Sequence, residues 1–389
     1  MDAVPEPDRP SPPAEPRQPV RSFPDGVPVL VDPTSGVALR AHQEADIGSI
    51  VEMANDQEMI RFTVVPNPEG GYTESDAADF LRLVRTGWEA GSPLIWAIEA
   101  DRDGRVEYGG NIDLRLEGDG IAEVGFALHP GARGRSIMSN ALRLVRDYGF
   151  DVLGLRVIRW RAAVGNWASR RVAAAAGFRF DGSVRRLLGH RGELVDGWLA
   201  TITSDDDRLP QQWSEPTPLR GPRVMLRAFV DSDVDRIAEA CSDPDSQRWL
   251  AALPFPYEIR DAHGYLLAIR ELAALGRGLT WCAADPATGR CHGSVGVEGL
   301  GGYARRVEIG YWTHPDARGR GLTAEAVRLV TAHLETAELA DSIMIRCAAR
   351  NTASRHVALA AGYRKVGMLR ASEPLRDGTL ADLVLYARP

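Results

Sequence analysis

The sequence predicts an α/β (α+β) protein that contains the same kind of domain twice. The first observation is a repeat: EVGFALHP at residues 123–130 returns as EIGYWTHP at residues 308–315, an offset of 185. The second observation is that each copy joins an alternating, strand-like segment to a Gly/Arg turn and then to apolar residues at helical spacing. A repeat of this length indicates duplication of a whole domain rather than a solenoid, whose units are much shorter.

The repeat extends along both halves of the chain. Leu39 and Arg40 match Leu226 and Arg227 at an offset of 187, a shift that one loop can absorb. The residue pairs at the offset of 185 are Trp96 and Trp281, Gly134 and Gly319, Asn166 and Asn351, Ser169 and Ser354, and Gly177 and Gly362.

Composition sets the predicted domain boundaries. Residues 1–27 are rich in proline and poor in apolar residues, so we expect a disordered or extended arm. Residues 204–218 are polar, contain prolines and show no periodicity, which indicates an interdomain linker. The two predicted domains are therefore residues 28–203 and 219–389.

Each half is predicted to run helix, helix, strands, strand–loop–helix, strand, helix and strands. The elements before the motif in the first half are helices through residues 47–54 and 76–88, strands over 93–100 and 110–116, and a turn at 103–104.

The composition is that of a globular protein and argues against several classes. Of 389 residues, 44% are hydrophobic and 25% charged, and no apolar run reaches the roughly 18 residues of a membrane span. The first residues lack the basic start and apolar core of a secretory signal, so we expect a cytoplasmic protein without a membrane partner. A net charge of −7 argues against nucleic acid as a partner. The four cysteines include no C-x-x-C pair, so neither a zinc site nor a disulfide framework is indicated.

The clearest chemical motif lies at residues 308–330, directly after Val307. Apolar residues alternate through Val307, Ile309 and Tyr311, and they recur at helical spacing from Leu322 onward. Residues 318–321, RGRG, therefore lie at a helix N-terminus, where free N–H groups and the helix dipole favour an anion such as phosphate. The alternative interpretation is an ordinary helix-capping turn with solvated arginines.

This Pro-x-x-Arg-Gly-x-Gly motif resembles the acetyl-CoA pyrophosphate loop of the GCN5-related N-acetyltransferase (GNAT) superfamily, and it looks most like the ribosomal-protein N-terminal acetyltransferase branch. The resemblance implies two GNAT-like domains, each with a mixed, mostly antiparallel sheet that splays at its centre between flanking helices. It also implies acetyl-CoA as co-substrate, no metal, and direct attack of an amine on the thioester.

The resemblance implies a cofactor-binding set in each half. Ser136 stands where the second half has Gly321, and we expect it either to weaken binding, if the backbone needs a positive φ, or to donate its hydroxyl to a phosphate. The implied cofactor-binding residues are Trp312, Arg318, Gly319, Arg320, Gly321, Leu322, Thr323 and Asn351 in the second half, and Arg133, Gly134, Arg135, Ser136 and Asn166 in the first.

Glu308 and its counterpart Glu123 are the implied general bases, acting through water on the amine. A carboxylate suits this role when burial raises its pKa. The alternative interpretation is a strand glutamate paired with a nearby arginine.

Asn351-x-x-Ser354 and Asn166-x-x-Ser169 each open a predicted helix. Asn is a strong N-cap, so a purely structural role is one interpretation. The resemblance implies more: the asparagines would bind the pantetheine arm, and Ser354 and Ser169 would protonate the leaving sulfur. Tyr363, near Ser354 in the sequence, is the alternative acid. Its counterpart in the first half is Phe178, so serine is the preferred acid in both halves.

Three functions remain open at this stage. The first is an N-acetyltransferase acting on a protein N-terminus, a lysine or a small-molecule amine, with a homo-oligomeric state left open. The second is that one half, the first because of Ser136, only binds CoA or serves a structural role. The third is a tandem GNAT enzyme that acts on an antibiotic or metabolite amine.

Overall fold

A computed structural model describes residues 26–66, 70–102, 105–250 and 252–388. The chain divides into two units, Met1–Gln211 and Gln212–Pro389, and the division falls inside the segment predicted as a linker. Most of the predicted arm, up to residue 25, and the predicted turn at Asp103 and Gly104 lie outside the described residues.

The first unit has eight strands and five α-helices in its described part. In chain order they are β1 (Leu30–Val31), β2 (Ala38–Arg40), α1 (Ile47–Ala54), α2 (Gln57–Phe62), α3 (Glu74–Ala90), β3 (Leu94–Arg102), β4 (Arg105–Gly118), β5 (Ile121–Leu128), α4 (Ile137–Asp151), β6 (Val157–Ala163), α5 (Trp167–Ala175), β7 (Arg179–His190) and β8 (Glu193–Thr203).

The second unit repeats this order. Its described elements are β9 (Leu219–Arg220), β10 (Met225–Arg227), α6 (Val234–Ser242), α7 (Pro244–Trp249), α8 (Ile259–Ala274), β11 (Gly278–Ala284), β12 (Cys291–Glu298), β13 (Arg306–Thr313), α9 (Leu322–Thr336), β14 (Ser342–Ala348), α10 (Thr352–Ala360), β15 (Arg364–Pro374) and β16 (Leu380–Ala387).

Each unit is built on one mixed, mostly antiparallel sheet, which confirms the predicted fold class. The strand order is β1-β2-β3-β4-β5-β6-β8-β7 in the first unit. The second unit has the equivalent order, β9-β10-β11-β12-β13-β14-β16-β15. The parallel neighbours among the described strands are β5 with β6 and β13 with β14.

The sheets splay at these parallel pairs. β13 pairs with β14 only from Arg306 to Glu308, and β5 pairs with β6 only from Ile121 to Val124. Beyond these residues the two parallel strands no longer pair with each other. The other edge of β13 still pairs with β12, and the other edge of β5 still pairs with β4. Backbone N–H and C=O groups at the opened edge then need other partners, which an extended ligand can supply.

Buried tryptophans anchor both sheets at equivalent places. Trp96 and Trp281 are fully buried, and their indole N–H groups donate to Pro28 O at 3.0 Å and Thr217 O at 2.8 Å. A buried indole needs such an acceptor. The equivalence of these contacts agrees with the duplication seen in the sequence.

One feature differs from the expectation. Three helices, not two, precede β3 and β11. The sequence did not reveal α2 and α7 because they have only six residues each, too few to show a periodicity.

The segment predicted as a linker makes contacts within both units. Arg208 pairs with Asp151 at 2.7 Å in the first unit, and Ser214 N–H donates to Ala273 O at 3.3 Å in the second.

No helix in the described part of the chain is long and apolar enough to span a membrane. All four cysteines are buried and free.

Candidate active site

The loop between β13 and α9 has the backbone of an anion site. Gly319 and Gly321 both adopt φ of +71°, a conformation in which glycine is least strained. The helix begins with a hydrogen bond from Glu325 N–H to Gly321 O at 3.2 Å. The N–H groups of the first three helical residues, 322–324, thus have no intrahelical acceptor and are available to a phosphate.

A buried histidine fixes the turn before each loop. His314 Nδ1 accepts from Asp316 N–H at 3.3 Å, and its Nε2 lies 3.0 Å from Glu239 Oε2. His129 is held in the same way by Gly131 and Glu52. Both histidines therefore shape the turn.

The first arginine of each loop points to a neighbouring short helix. Arg318 Nη2 lies 2.5 Å from Asp243 Oδ2 and donates to Ser246 Oγ at 3.1 Å. Arg133 Nη2 lies 2.5 Å from Asp56 Oδ2. Since Asp243 and Asp56 cap α7 and α2, these arginines fasten the loop to the helix. Phosphate binding by Arg318 and Arg133 stays a prediction.

The second arginine of each loop, Arg320 or Arg135, is exposed. Arg135 Nη2 donates to Gly131 O at 2.8 Å.

Two other predicted cofactor-binding residues have protein contacts of their own. Thr323 Oγ1, on the first turn of α9, lies 2.5 Å from Thr313 Oγ1. Trp312 lies in an aromatic cluster, with its ring centroid 6.4 Å from that of Phe229.

Ser136 adopts the left-handed conformation that its position demands. Its φ is +56°, where Gly321 has +71°. A non-glycine residue in this region costs about 1 kcal/mol. The Ser136 hydroxyl makes no capping hydrogen bond. We expected weaker cofactor binding here if the backbone needed a positive φ; the backbone does adopt one, and the effect on binding stays a prediction.

Glu308 is the last residue of β13 that pairs with β14, so it lies where the sheet opens. Its Oε2 is 2.7 Å from Arg346 Nε, and 37% of the side chain is exposed. The arginine pairing considered as the alternative interpretation is therefore present, and in the described part of the chain it involves a single arginine. The Glu308 side chain remains partly accessible to solvent.

Glu123 is held more tightly than Glu308. Arg115 Nη2 lies 3.0 Å from its Oε1, and Arg161 Nη2 contacts its Oε2. Only 10% of the side chain is exposed. Both carboxylate oxygens are thus occupied by guanidinium groups.

Asp113 adds a second carboxyl group beside Glu123 that sequence reasoning missed. It lies opposite Gly125 on β4, and Arg115 Nε is 3.3 Å from its Oδ1. Burial raises its pKa to about 6. The second unit has Gly296 opposite Gly310 at this register, so only a comparison of the strand pairings reveals the difference.

Each predicted asparagine caps its helix. Asn351 Oδ1 accepts from Ser354 N–H at 3.0 Å, and Asn166 Oδ1 accepts from Ser169 N–H at 3.1 Å. The amide oxygen serves the helix, whereas Nδ2 has no protein partner among the described residues and is the donor left for a ligand.

Ser354 lies in a hydroxyl–thiol cluster. Its Oγ is 3.1 Å from Tyr311 Oη and donates to Cys347 Sγ at 3.1 Å, while Tyr311 donates to Ser354 O at 2.9 Å. Burial raises the pKa of Tyr311 and of Cys347, so both stay protonated. Sequence reasoning counted Tyr311 only as a strand residue.

The first unit surrounds its serine differently. Ser169 Oγ accepts from Trp160 Nε1 at 3.0 Å, and Phe126 stands at the Tyr311 position. Tyr363 is buried, and its hydroxyl lies 2.8 Å from Thr331 Oγ1, so it packs in the core of the second unit.

Three residues of metal-binding types meet in the second unit. Ligand atoms of Asp233, Cys282 and Cys291 lie within 4.8 Å of one another. The Asp233 carboxylate is paired with Arg227 at 2.7 Å. A guanidinium group therefore already neutralises the one anionic ligand, and we assign no metal to this cluster.

The acetyltransferase (GNAT) domain model matches the chain twice, at residues 37–179 and 223–364. These matches cover most of the chain. The protein belongs to the GNAT family. It is a tandem GNAT and, as a member of the family, an acyl-CoA N-acyltransferase.

The similar proteins with curated names are also called N-acetyltransferases. The chain is 24% identical over 165 residues to an uncharacterized N-acetyltransferase p20 of Bacillus licheniformis, covering 42% of this chain and 92% of that protein. It is 35% identical over 86 residues to a probable N-acetyltransferase YjcK of Bacillus subtilis, covering 22% of this chain and 48% of that protein. Among solved structures, Mycobacterium smegmatis RimJ in complex with CoA-disulfide shares 25% identity, with 49% of this chain and 91% of that chain covered and a TM-score of 0.41.

Proposed function

We propose that this tandem GNAT transfers an acetyl group from acetyl-CoA to a primary amine, and that the second unit is the working site. The observation that carries the proposal is Glu308: it is partly exposed and lies where β13 and β14 part. The same strand leads into the loop with the two glycines and the free helical N–H groups.

Glu308 is the proposed proton acceptor. The amine attacks the thioester carbonyl carbon, and its proton passes through water to the Glu308 carboxylate. Arg346 on Oε2 orients this carboxylate, which pairs with one arginine among the described residues and stays partly exposed. An α-amino group, with a reference pKa of about 8, gives up this proton more readily than a lysine, with a reference pKa of about 10.4.

Ser354 is the proposed acid. As the carbon–sulfur bond breaks, its hydroxyl donates a proton to the leaving sulfur and regains one from solvent as Glu308 releases its own. Tyr311 holds Ser354 by two contacts, at 2.9 Å to its carbonyl and 3.1 Å to its hydroxyl. Backbone N–H groups at the open edge of β13 would stabilise the developing oxyanion.

A second candidate function concerns the first unit. It would be a CoA-binding or structural domain that does not catalyse acetyl transfer. The occupied oxygens of Glu123 and the left-handed Ser136 support this proposal.

The acceptor class rests on the sequence motif alone. We place a polypeptide N-terminus first, because the Pro-x-x-Arg-Gly-x-Gly loop resembles that branch, and a small-molecule amine second. The cytoplasmic location and a homo-oligomeric state stay predictions.

A thiol-release assay tests the proposal. Purified full-length protein with acetyl-CoA is offered N-terminal peptides, lysine peptides, polyamines and aminoglycosides, and calorimetry measures the acetyl-CoA stoichiometry. We expect CoA release with an amine and at least one acetyl-CoA per chain. A protein that binds acetyl-CoA but releases no thiol with any amine would leave only the binding role.

A further inference from the structure

An arginine outside the sequence motif holds the loop of the second unit. Arg223 lies between β9 and β10, and its Nη1 donates to Arg320 O at 3.0 Å. Its backbone N–H and Nε donate to the two carboxylate oxygens of Glu325, at 2.9 Å and 2.8 Å. One residue therefore joins the loop to the first turn of α9.

Glu325 is the buried half of this arrangement, with 8% of its side chain exposed. A carboxylate in the first helical turn stabilises the helix dipole but repels an anion at the same N-terminus. Arg223 cancels that repulsion, because both Glu325 oxygens accept from it. Gly221 permits the approach, since a Cβ there would lie 2.6 Å from Glu325 Oε1.

One edge of the guanidinium is left for a ligand. Arg223 Nη2 has no acceptor among the described residues, and it would lie 3.6 Å from a Cβ placed on Gly321. The side chain is 54% exposed. Nη2 therefore lies beside the free N–H groups at the start of α9, held in place by the other nitrogens. A planar guanidinium donor suits a phosphate better than a mobile ammonium group does.

The first unit has no counterpart of this pair. The match of Leu226 and Arg227 to Leu39 and Arg40 places Gly36 at the Arg223 position. At the Glu325 position the first unit has Asn140, which contacts Arg143 on its own helix.

We propose that Arg223 is a phosphate ligand of the second unit, binding either the diphosphate bridge or the 3′-phosphate of acetyl-CoA, and that Glu325 positions it. This inference rests on the proposed function and adds a residue that the loop motif does not contain.

Calorimetry with full-length protein tests the assignment with acetyl-CoA and acetyl-dephospho-CoA as probes. Arg223→Gln should raise the Kd for acetyl-CoA in the second unit about 10-fold or more, because a charge-assisted hydrogen bond is lost. The kcat at saturating acetyl-CoA should change by less than about twofold, since ground-state and transition-state binding weaken equally. Arg223→Lys should lose less affinity, which keeps the test usable if Arg223→Gln folds poorly.

The matched control is Arg328→Gln, which changes an exposed arginine of α9 that donates to Ala360 O at 2.9 Å, away from the loop. It removes the same charge and should leave Kd unchanged. An equal loss for both probes assigns the contact to the diphosphate, whereas a loss confined to acetyl-CoA assigns it to the 3′-phosphate. Unchanged Kd values for both Arg223 variants would overturn the inference alone. A wild-type protein that binds no acetyl-CoA would overturn the proposed function with it.

Discussion

The two halves of this GNAT protein have the same fold, but the equivalent glutamates Glu308 and Glu123 have different surroundings. Glu308 gives one oxygen to Arg346 and keeps 37% of its side chain exposed. Glu123 gives both oxygens to arginines, and 10% of its side chain is exposed. The difference teaches that a repeated motif residue is a base candidate only where its surroundings leave the carboxylate accessible.

The loops differ in the same direction. The second unit has Gly321 and the Arg223–Glu325 pair, whereas the first has Ser136 at positive φ and no such pair. The serines that follow also differ: Ser354 contacts Tyr311 and Cys347, and Ser169 accepts from the Trp160 indole. Every one of these differences favours the second unit as the catalytic one.

The largest expected effect comes from the acid. Ser354→Ala should lower kcat about 100-fold, because general acid catalysis contributes at least that much, while the acetyl-CoA Kd stays the same. Ser169→Ala is the matched change in the first unit and should leave kcat unaltered. Steady-state thiol release measures both. Equal losses in the two variants would remove the asymmetry between the halves.

Asp113 sharpens the comparison through pH. Its folded pKa of about 6 lies above the ordinary 3.8, so the native state binds more protons between these values. Its contribution to stability is full below pH 3.8 and is lost as pH rises through about 6.

Asp113→Asn should therefore raise the free energy of unfolding of the first unit by about 1–3 kcal/mol at pH 7.5, and the gain should vanish near pH 4. Chemical unfolding at the two pH values measures it. A gain independent of pH would assign the effect to packing instead.

Tyr311→Phe gives the second unit the residue of the first. We expect a loss of about 1 kcal/mol in stability from the missing hydrogen bonds and a fall in kcat of about 3- to 10-fold as Ser354 loses its orientation. Phe126→Tyr is the reciprocal control and should not raise the rate. Full activity with a lower melting temperature would leave Tyr311 a purely structural role.

The smallest effect concerns the strained serine. Ser136→Gly should stabilise the first unit by about 0.5–1 kcal/mol, because glycine adopts positive φ without the Cβ clash. Gly321→Ser should destabilise the second unit by a similar amount. Denaturant titration of each variant gives the values, and a stabilising Gly321→Ser would show that the loop does not need glycine there.

The sequence was sufficient for the fold class and for placing the motif residues on their strand, loop or helix, because a repeat with constant offset fixes these three elements together. It placed Glu308 on the strand and Asn351 at a helix start, and the structure agrees on both positions. It could not give the contacts that depend on register or on distant packing. Arg346 meets Glu308 through a parallel strand pair.

Two further residues show the same limit. Arg223 reaches Arg320 across 97 residues of sequence, and nothing in the local pattern links them. Tyr311 alternates as a core strand residue, and only the packing of α10 brings Ser354 to its hydroxyl. The helices α2 and α7 were missed because six residues carry less than two turns of periodicity.

The most direct measurement compares Glu308→Gln with Glu123→Gln in the full-length protein. If the second unit is the catalytic one, Glu308→Gln lowers kcat about 100-fold or more with an unchanged acetyl-CoA Kd, and Glu123→Gln retains the wild-type rate. A Glu308→Gln variant with the wild-type kcat would contradict the account. So would a Glu123→Gln variant whose kcat falls about 100-fold.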